Sequence, residues 1–233
     1  MAEPTPVDDL YRSRLSTANA GVLTRVREAG ARFLPDLADP DTVEVDLDAL
    51  AAALAALGTA TGTLTTAAQV AFVEETRQYL RALIAQHTGA PLGEVAEFAA
   101  PAGLVGVAAN GAPVEAVARG GAVTVFRDRL GRGLSAAEAT ASAMAWLARI
   151  AGSEPYRAAN VTTLHAAQDD DRLTGRVTRL TRGEACDFCI EIAGSGYIPA
   201  TAGFDAHAHC RCTASPEISS HVLSRAGRRA ALR

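Results

Sequence analysis

The residues with the clearest chemistry lie in one short stretch, CDFCIEIAGSGYIPATAGFDAHAHCRC, which runs from Cys186 to Cys212. It contains all four cysteines of the 233-residue chain and two of its five histidines, His207 and His209. Thiolate and imidazole groups in short pairs joined by a loop are the ligands and spacing that tetrahedral Zn²⁺ prefers. The predicted zinc ligands are Cys186, Cys189, His207, Cys210 and Cys212. Because five groups compete for four positions, the spacing leaves open which four bind.

The alternative to a zinc site is a set of buried or disulfide-bonded cysteines. Scattered core cysteines would not all fall inside 27 residues beside two histidines, so zinc is the favoured interpretation. A redox dithiol at Cys186 and Cys189 is disfavoured by the neighbouring cysteines and by the lack of a βαβ pattern. Three or more thiolates would close the coordination, which indicates a structural zinc ion without an activated water.

Composition limits the class of protein. The net charge of -4 and the pI near 5.7 argue against a surface that grips nucleic acid over its whole area. The first residues, MAEPTPVDDLYRSRL, do not have the charge and apolar pattern of a secretory signal, and no apolar window was long enough to predict a membrane span. The sequence therefore predicts a soluble protein of a reducing compartment, without membrane contact and without a disulfide framework.

The elements that must position the cysteines begin with helices. Apolar residues from Tyr11 to Phe33 recur at steps of three and four, which predicts one long helix after the acidic pair Asp8-Asp9. A short helix is predicted from Leu47 to Gly58, then a turn over 59–66 and a third helix that ends at Gly89.

Further helices are predicted towards the cysteines. One begins at Pro113 and ends at Gly120-Gly121, and a helical segment follows it. Ser135-Ala-Ala-Glu138 is a capping box that opens a helix ending at Gly152, and another helix runs from Pro155 to about Gln168. The alternating segment Arg176–Arg182 predicts a strand that leads into the cysteine stretch.

Together these elements predict a mainly α fold in three parts. Residues 1–171 form a helical body, 172–215 a small zinc-stapled β-rich module, and 216–233 a basic tail. The module is too short to hold a core by itself, which is the physical reason to expect the metal.

The cysteine stretch also resembles a known family. The spacing of Cys186 and Cys189, the Ala193-Gly194 pair, Tyr197, Ala202-Gly203-Phe204 and the His-x-x-Cys-x-Cys ending is similar to the C-terminal signature of MuF-like minor head proteins of tailed bacteriophages, in their actinobacteriophage form. Weaker similarity covers Tyr11-Arg12 and the segment 104–113. The resemblance ranks His209 below His207 as a ligand.

The resemblance implies a structural virion protein. Such a protein is expected inside the capsid, in contact with the portal or the major capsid protein, and in the host cytoplasm during assembly. Its role would be head morphogenesis, DNA packaging or DNA delivery. Related sequences are also described as capsid maturation proteases, which is the rival function.

No enzymatic activity is predicted. The sequence has no HExxH or GxSxG motif and no compact Ser/His/Asp grouping. Ser135 is better explained as a helix cap, and His165, near Ser153 and Asp169, as a helix-surface residue. His87 is expected to stabilise the end of its helix.

The C-terminal tail carries the basic candidates, Arg225, Arg228, Arg229 and Arg233. Three of them recur at every fourth position, so a helix would present a basic stripe that suits DNA phosphates. The alternative to a DNA-binding stripe is a solvated chain end without a binding partner. A DNA-binding zinc protein is accordingly the second rival function.

Overall fold

The computed structural model describes residues 5–34, 45–181, 187–204 and 211–222. Helices dominate this part of the chain, followed by short strands. The elements are α1 (Pro6–Phe33), α2 (Leu47–Thr88), α3 (Val114–Gly131), α4 (Ala136–Asp169), β1 (Leu173–Leu180), α5 (Asp187–Gly194), β2 (Ile198–Pro199) and β3 (Thr213–Ile218). The predicted mainly helical fold with a small C-terminal β region is confirmed.

The sheet has the strand order β2-β1-β3, and β1 pairs antiparallel with both neighbours. Val177 faces Ile198 on one side and Pro216 on the other. The register of β1 against β3 shifts between Leu173 and Val177, where Gly175 has a φ of 76°. Glycine adopts a positive φ with little strain, so Gly175 can take this conformation where the register shifts.

Helix α2 corrects the predicted helix–turn–helix over 47–89. It is one continuous helix, and Gly58 and Gly62 lie inside it. A Cβ atom at either glycine would come closer than 3.0 Å to the backbone of Arg119 or Glu115 on α3. The two glycines therefore allow two helix backbones to approach, and they do not end a helix. Thr65 is accommodated in the helix because its hydroxyl donates to the Thr61 carbonyl over 2.8 Å.

Helices α3 and α4 are also longer than predicted. Gly120-Gly121 does not end α3, and a Cβ at Gly121 would come closer than 3.0 Å to the Trp146 indole. The two helices predicted on either side of residues 152–155 are one helix, with Pro155 inside it. Proline removes one backbone donor from the helix, and the packing of the rest of α4 outweighs that loss.

The chain divides into two compact units. Unit 1 comprises Met1–Thr17, Val70–Leu104 and Tyr156–Arg233, and unit 2 comprises Ala18–Gln69 and Val105–Pro155. The predicted boundary at residue 171 is not one of these divisions, because it lies inside unit 1. The core of unit 1 joins helical residues such as Tyr11 and Tyr79 to Val177 of β1 and Ala214 of β3.

One helix of the described chain, α2, is long and apolar enough to cross a membrane by length and composition alone. About 39% of its most apolar window is buried. A core helix of a soluble protein meets the same criteria, so this finding is weak support for a membrane span. The sequence-based expectation of no membrane contact stays a prediction.

Candidate metal centre

Helix α5 places the first described cysteine. Its sequence, DFCIEIAG, is short and amphipathic, and Cys189 and Ala193 lie one turn apart on the buried face. Cys189 is only 1% exposed, whereas Ile190 beside it is 53% exposed. The helix therefore turns the Cys189 sulfur inward, away from solvent.

Two hydrogen bonds of Asn160, which the sequence did not predict, hold the backbone around Cys212. It directly precedes β3 and is 4% exposed. The buried side chain of Asn160 on α4 donates to the Cys212 carbonyl over 3.1 Å and accepts from the Ala214 amide over 2.9 Å. These two bonds fix the backbone on both sides of Thr213, so they fix where the Cys212 side chain begins. An asparagine inside a helix carries no local signal of this role.

The two described cysteines converge. Cys189 and Cys212 form one buried cluster with Phe204 packed against it, although Cys189 lies on α5 and Cys212 at the start of β3. The other predicted ligands, Cys186, His207 and Cys210, fall outside the described residues, and so does His209. Within the described ranges no group of three or more His, Cys, Asp or Glu side chains is placed to hold a metal. The fold brings together the two candidate ligands that it describes.

A buried arginine, Arg179, contacts this cysteine cluster. Arg179 of β1 is 7% exposed, and its guanidinium lies 4.0 Å from the centre of the Phe204 ring. Its Nη1 atom donates towards the Cys189 sulfur over 3.7 Å. The pairing of Arg179 with Ala214 brings this side chain to the strand that follows Cys212. In the sequence, Arg179 is recognisable only as part of an alternating strand segment.

Arg179 places a positive charge beside the Cys189 sulfur. A guanidinium stays charged at all physiological pH values. Both described cysteines are buried, so access for a substrate to either sulfur is limited.

A second polar group lies in unit 1, away from the predicted site. The Asp8 carboxylate caps α1 by accepting bonds from the Thr5 amide over 2.7 Å and the Thr5 hydroxyl over 2.8 Å. Its other oxygen lies 2.6 Å from the Tyr79 hydroxyl, which is itself 2.7 Å from the Ser215 hydroxyl. Asp8 thus forms a capping box with Thr5 at the start of α1, and the same carboxylate ties α1 to α2 and β3.

Burial dominates the titration of this group. It raises the pKa of Tyr79 well above the ordinary value of 10.0, and the nearby Asp8 charge raises it further. Tyr11 stacks on Tyr79 with ring centres 4.1 Å apart, and burial raises its pKa too. Asp8, Ser215 and Tyr197 line a cleft of about 310 Å³. The pKa of Tyr197 is raised by burial and then by the charges of Glu217 and Asp8.

The residues considered for catalysis have structural partners. Ser135 and Glu138 form the predicted capping box, with the Ser135 amide and hydroxyl donating to the Glu138 carboxylate over 2.9 and 2.8 Å. These two bonds, the amide first, lower the pKa of Glu138. His165 lies 2.5 Å from Asp169 one turn along α4, and Ser153 donates to the Arg149 carbonyl over 2.8 Å.

The remaining predictions concern His87 and the C-terminal arginines. His87 bonds the Leu83 carbonyl over 2.9 Å in the last turn of α2, as its helix-end role requires. The tail arginines Arg225, Arg228, Arg229 and Arg233 lie outside the described residues. Their proposed contact with DNA stays a prediction.

Comparison with known proteins identifies the family. The VG15 protein family matches residues 7–227, which is nearly the whole chain. No curated protein and no solved structure matches it. The chain therefore belongs to the VG15 family, a family of phage proteins.

Proposed function

We propose that the chain is a structural component of a phage head, a MuF-like minor head protein that lies inside the capsid near the portal. The observation that carries this proposal is the phage family match over residues 7–227. The resemblance of the stretch 186–212 to the minor head signature supports the finer assignment. The protein would assist head assembly, DNA packaging or DNA delivery.

The local contacts support a structural role over proteolysis. Ser135, Ser153 and His165, the side chains considered for catalysis, each bond within their own helix or helix cap. A serine nucleophile donates its hydroxyl proton to a base such as histidine, whereas the Ser135 and Ser153 hydroxyls donate to the Glu138 carboxylate and the Arg149 carbonyl. A capsid maturation protease is therefore the weaker candidate.

The proposed cofactor is one structural Zn²⁺. The supporting observation is that Cys189 and Cys212 meet in one buried cluster, in which the Arg179 guanidinium contacts the Cys189 sulfur. The other two ligands would come from the set Cys186, Cys210 and His207. Bound zinc would cross-link α5 to the start of β3, since those elements carry the described cysteines.

An asymmetric reconstruction of the assembled phage particle by electron cryomicroscopy tests the function. We expect density for this chain inside the head, next to the portal. Mass spectrometry of purified particles should detect the chain in few copies. A particle that lacks the chain would contradict the structural assignment.

Co-expression with the major capsid protein tests the rival. We expect the capsid protein to stay at full length with the wild-type chain and with His165→Ala. Cleavage that depends on His165 or Ser153 would replace the structural proposal with the protease. Cleavage of equal extent in all samples would identify a host protease and leave the proposal standing.

A further inference from the structure

We propose that a cleft in unit 1 binds a primary ammonium group that ends an apolar chain, the chemistry of a lysine side chain and of a free alkylamine. The cleft has a volume of about 310 Å³, at the lower end of the range of small-ligand pockets. Its walls come from the sheet, from the start of α1 and from the last turns of α2. The site shares no described residue with the proposed zinc centre, and it does not depend on the proposed role in the phage head.

Strand pairing places several polar groups on the face of the sheet that lines the cleft. Thr178 of β1 pairs with Ser215 of β3, so their side chains point to the same face. Glu217 lies two residues beyond Ser215 and Leu180 two residues beyond Thr178, so both share that face. All four line the cleft. The sheet therefore contributes two hydroxyls, a carboxylate and an apolar side chain to one wall.

Two hydroxyls in the lining are available to a ligand. Thr178 is only 7% exposed, yet its hydroxyl forms no hydrogen bond within the described part of the chain. A buried hydroxyl normally has at least one partner. The Tyr197 hydroxyl, at a half-buried position, also has no hydrogen bond to a described residue. Both groups can therefore bond a molecule that enters the cleft.

The Asp8 carboxylate gives the cleft a preference for cations. It is 4% exposed, and the groups that donate to it belong to Thr5, Tyr79 and Ser215, which are uncharged. Burying a charge is unfavourable unless an opposite charge lies close by. A cation in the cleft would supply that charge.

Glu217 adds a second carboxylate. Its Oε2 atom accepts from Thr174 over 2.7 Å and from Arg176 over 3.5 Å, whereas its Oε1 atom has no hydrogen bond among the described residues. The long pair with Arg176 joins two partly exposed side chains, and such pairs contribute little. Burial raises the pKa of Tyr197, and the charges of Glu217 and Asp8 raise it further, so both carboxylates act on the same hydroxyl.

The free acceptors favour an ammonium over a guanidinium. A guanidinium binds best when one carboxylate offers both oxygens to its planar fork. Both oxygens of Asp8 already accept bonds, and so does one oxygen of Glu217. An ammonium is compact, with three donors and no acceptor, so it can bond single atoms of several groups.

The rest of the lining suits the apolar chain that carries the ammonium. Leu83, Leu180 and Ile218 provide apolar surface for it. His87 also lines the cleft, and its Nδ1 atom bonds the Leu83 carbonyl rather than either carboxylate. The sequence contains no lysine, so a lysine side chain that enters the cleft would belong to a different protein and not to a second copy of this chain.

The test follows the backbone amide signals of the isotope-labelled full chain by nuclear magnetic resonance during titration with n-butylammonium chloride. We expect saturable shifts at residues around the cleft, with a Kd in the millimolar range because so small a ligand gains little affinity. The neutral analogue n-butanol should bind at least about 5-fold more weakly, since it lacks the charge. Sodium chloride keeps the ionic strength equal in all samples.

A second titration distinguishes the sources of the ammonium. N-acetyl-lysine methylamide presents the same group on a peptide backbone. Binding at least as tight as that of n-butylammonium would indicate a lysine of a partner protein. Binding of n-butylammonium alone would indicate a free amine. Either result supports the site.

Glu217→Gln removes one negative charge and keeps the shape of the side chain. We expect it to weaken the binding of n-butylammonium about 3- to 10-fold. The matched control is Glu94→Gln, an exposed residue of unit 1 outside the lining, which changes the net charge equally. It should bind like the wild type.

Thr178→Val removes a hydroxyl and decides the matter if Glu217→Gln does not fold. We expect about 2- to 5-fold weaker binding of n-butylammonium. The midpoint of thermal unfolding should stay the same or rise, because no hydrogen bond within the described protein is lost. A lower midpoint would show that the hydroxyl has a structural partner and would overturn its role in binding.

The outcomes that overturn the site are distinct. No saturation by either amine would refute it. Equal binding of n-butanol and n-butylammonium, or wild-type affinity in both Glu217→Gln and Thr178→Val, would refute recognition of the charge. Tighter binding of n-butylguanidinium would overturn the choice of an ammonium. None of these results bears on the zinc centre or on the role in the phage head.

Discussion

The two compact units have cores of different construction. Unit 1 is built around aromatic rings, including the stacked pair Tyr11 and Tyr79, and around buried polar contacts such as the Asp8 network and the Arg179–Cys189 contact. The core of unit 2 is rich in alanine and in close helix contacts at Gly58 and Gly62. Unit 1 is therefore distinguished by buried aromatic and polar contacts, and unit 2 by small residues where its helices approach closely.

This difference predicts opposite sensitivities. A buried polar group whose partner is removed loses a hydrogen bond and cannot regain one from water. A close helix contact is instead disturbed by added volume. Deletions should therefore damage unit 1 most, and additions should damage unit 2 most.

The largest effect should follow the loss of zinc. The purified chain should contain about one zinc ion, because the ligands close one tetrahedron. Cys189→Ser and Cys212→Ser should lose it and destabilise unit 1, since structural zinc contributes about 10 to 16 kcal/mol in finger peptides. Elemental analysis measures the metal, and hydrogen exchange shows which unit loses protection.

The shared core of unit 1 determines where that damage should spread. Val177 and Ala214 share a core with Tyr11 and Tyr79, so the helical parts of unit 1 should lose protection together with the sheet. Unit 2 should keep its protection. Ser195→Ala, at an exposed position just after α5, is the control and should retain zinc. A wild-type chain without zinc whose thiols all react readily with an alkylating reagent would refute the metal centre.

The second effect adds one methyl group to unit 2. Gly62→Ala should lower the free energy of unfolding by about 1 to 3 kcal/mol, because the new Cβ meets the backbone of Glu115. Gly120→Ala is the matched control, since that glycine lies inside α3 with nothing within 4 Å of its would-be Cβ. It should raise stability by about 0.5 to 1 kcal/mol. Urea denaturation compares them, and the same sign for both would contradict the close-packing role.

The third effect removes one hydroxyl from unit 1. Tyr79→Phe should lower the free energy of unfolding by about 1 to 3 kcal/mol, because it takes a donor from the buried Asp8 carboxylate. Tyr197→Phe, at a half-buried position in the cleft that Asp8 and Ser215 also line, is the control. We expect a change within about 0.5 kcal/mol for it. Equal losses in both variants would show that the hydrogen bonds of Tyr79 with Asp8 and Ser215 make no specific contribution to stability.

The fourth effect is a loss of stability in alkali. The pKa of Tyr79 is raised in the folded protein above the ordinary value of 10.0. Its contribution is therefore fully present below about pH 10, and it declines above that pH as the unfolded phenol ionises first. The decline approaches about 1.4 kcal/mol per pH unit for each such tyrosine. Thermal unfolding between about pH 9 and pH 11 should show a shallower decline in Tyr79→Phe. Identical slopes would refute this assignment.

The smallest effect concerns the tail. Arg225, Arg228, Arg229 and Arg233 displace about four counterions at most, so we expect weak and sequence-independent DNA binding that falls steeply with salt. Fluorescence anisotropy at low ionic strength compares the full chain with one that ends after Val222. Equal binding by both chains would assign any DNA contact to another part of the protein.

Local sequence determined the course of α1 and the start of α4. The apolar periodicity of 11–33 predicted α1, and Ser135 with Glu138 predicted the start of α4, because both signals act within one or two turns of the backbone. The clustering of all four cysteines in one stretch also singled out a region in which two of them, Cys189 and Cys212, meet. These inferences needed only neighbours along the chain.

Tertiary structure decided whether a glycine ends a helix or packs one. From the sequence, Gly58 and Gly62 were predicted to interrupt the helix, since glycine in a helix costs about 1 kcal/mol relative to alanine. Their contacts with α3, more than 50 residues away along the chain, reverse that interpretation. The contacts of Asn160 and Arg179 were hidden for the same reason. Their partners, Cys212 and Cys189, become neighbours only when α4, β1 and α5 pack together.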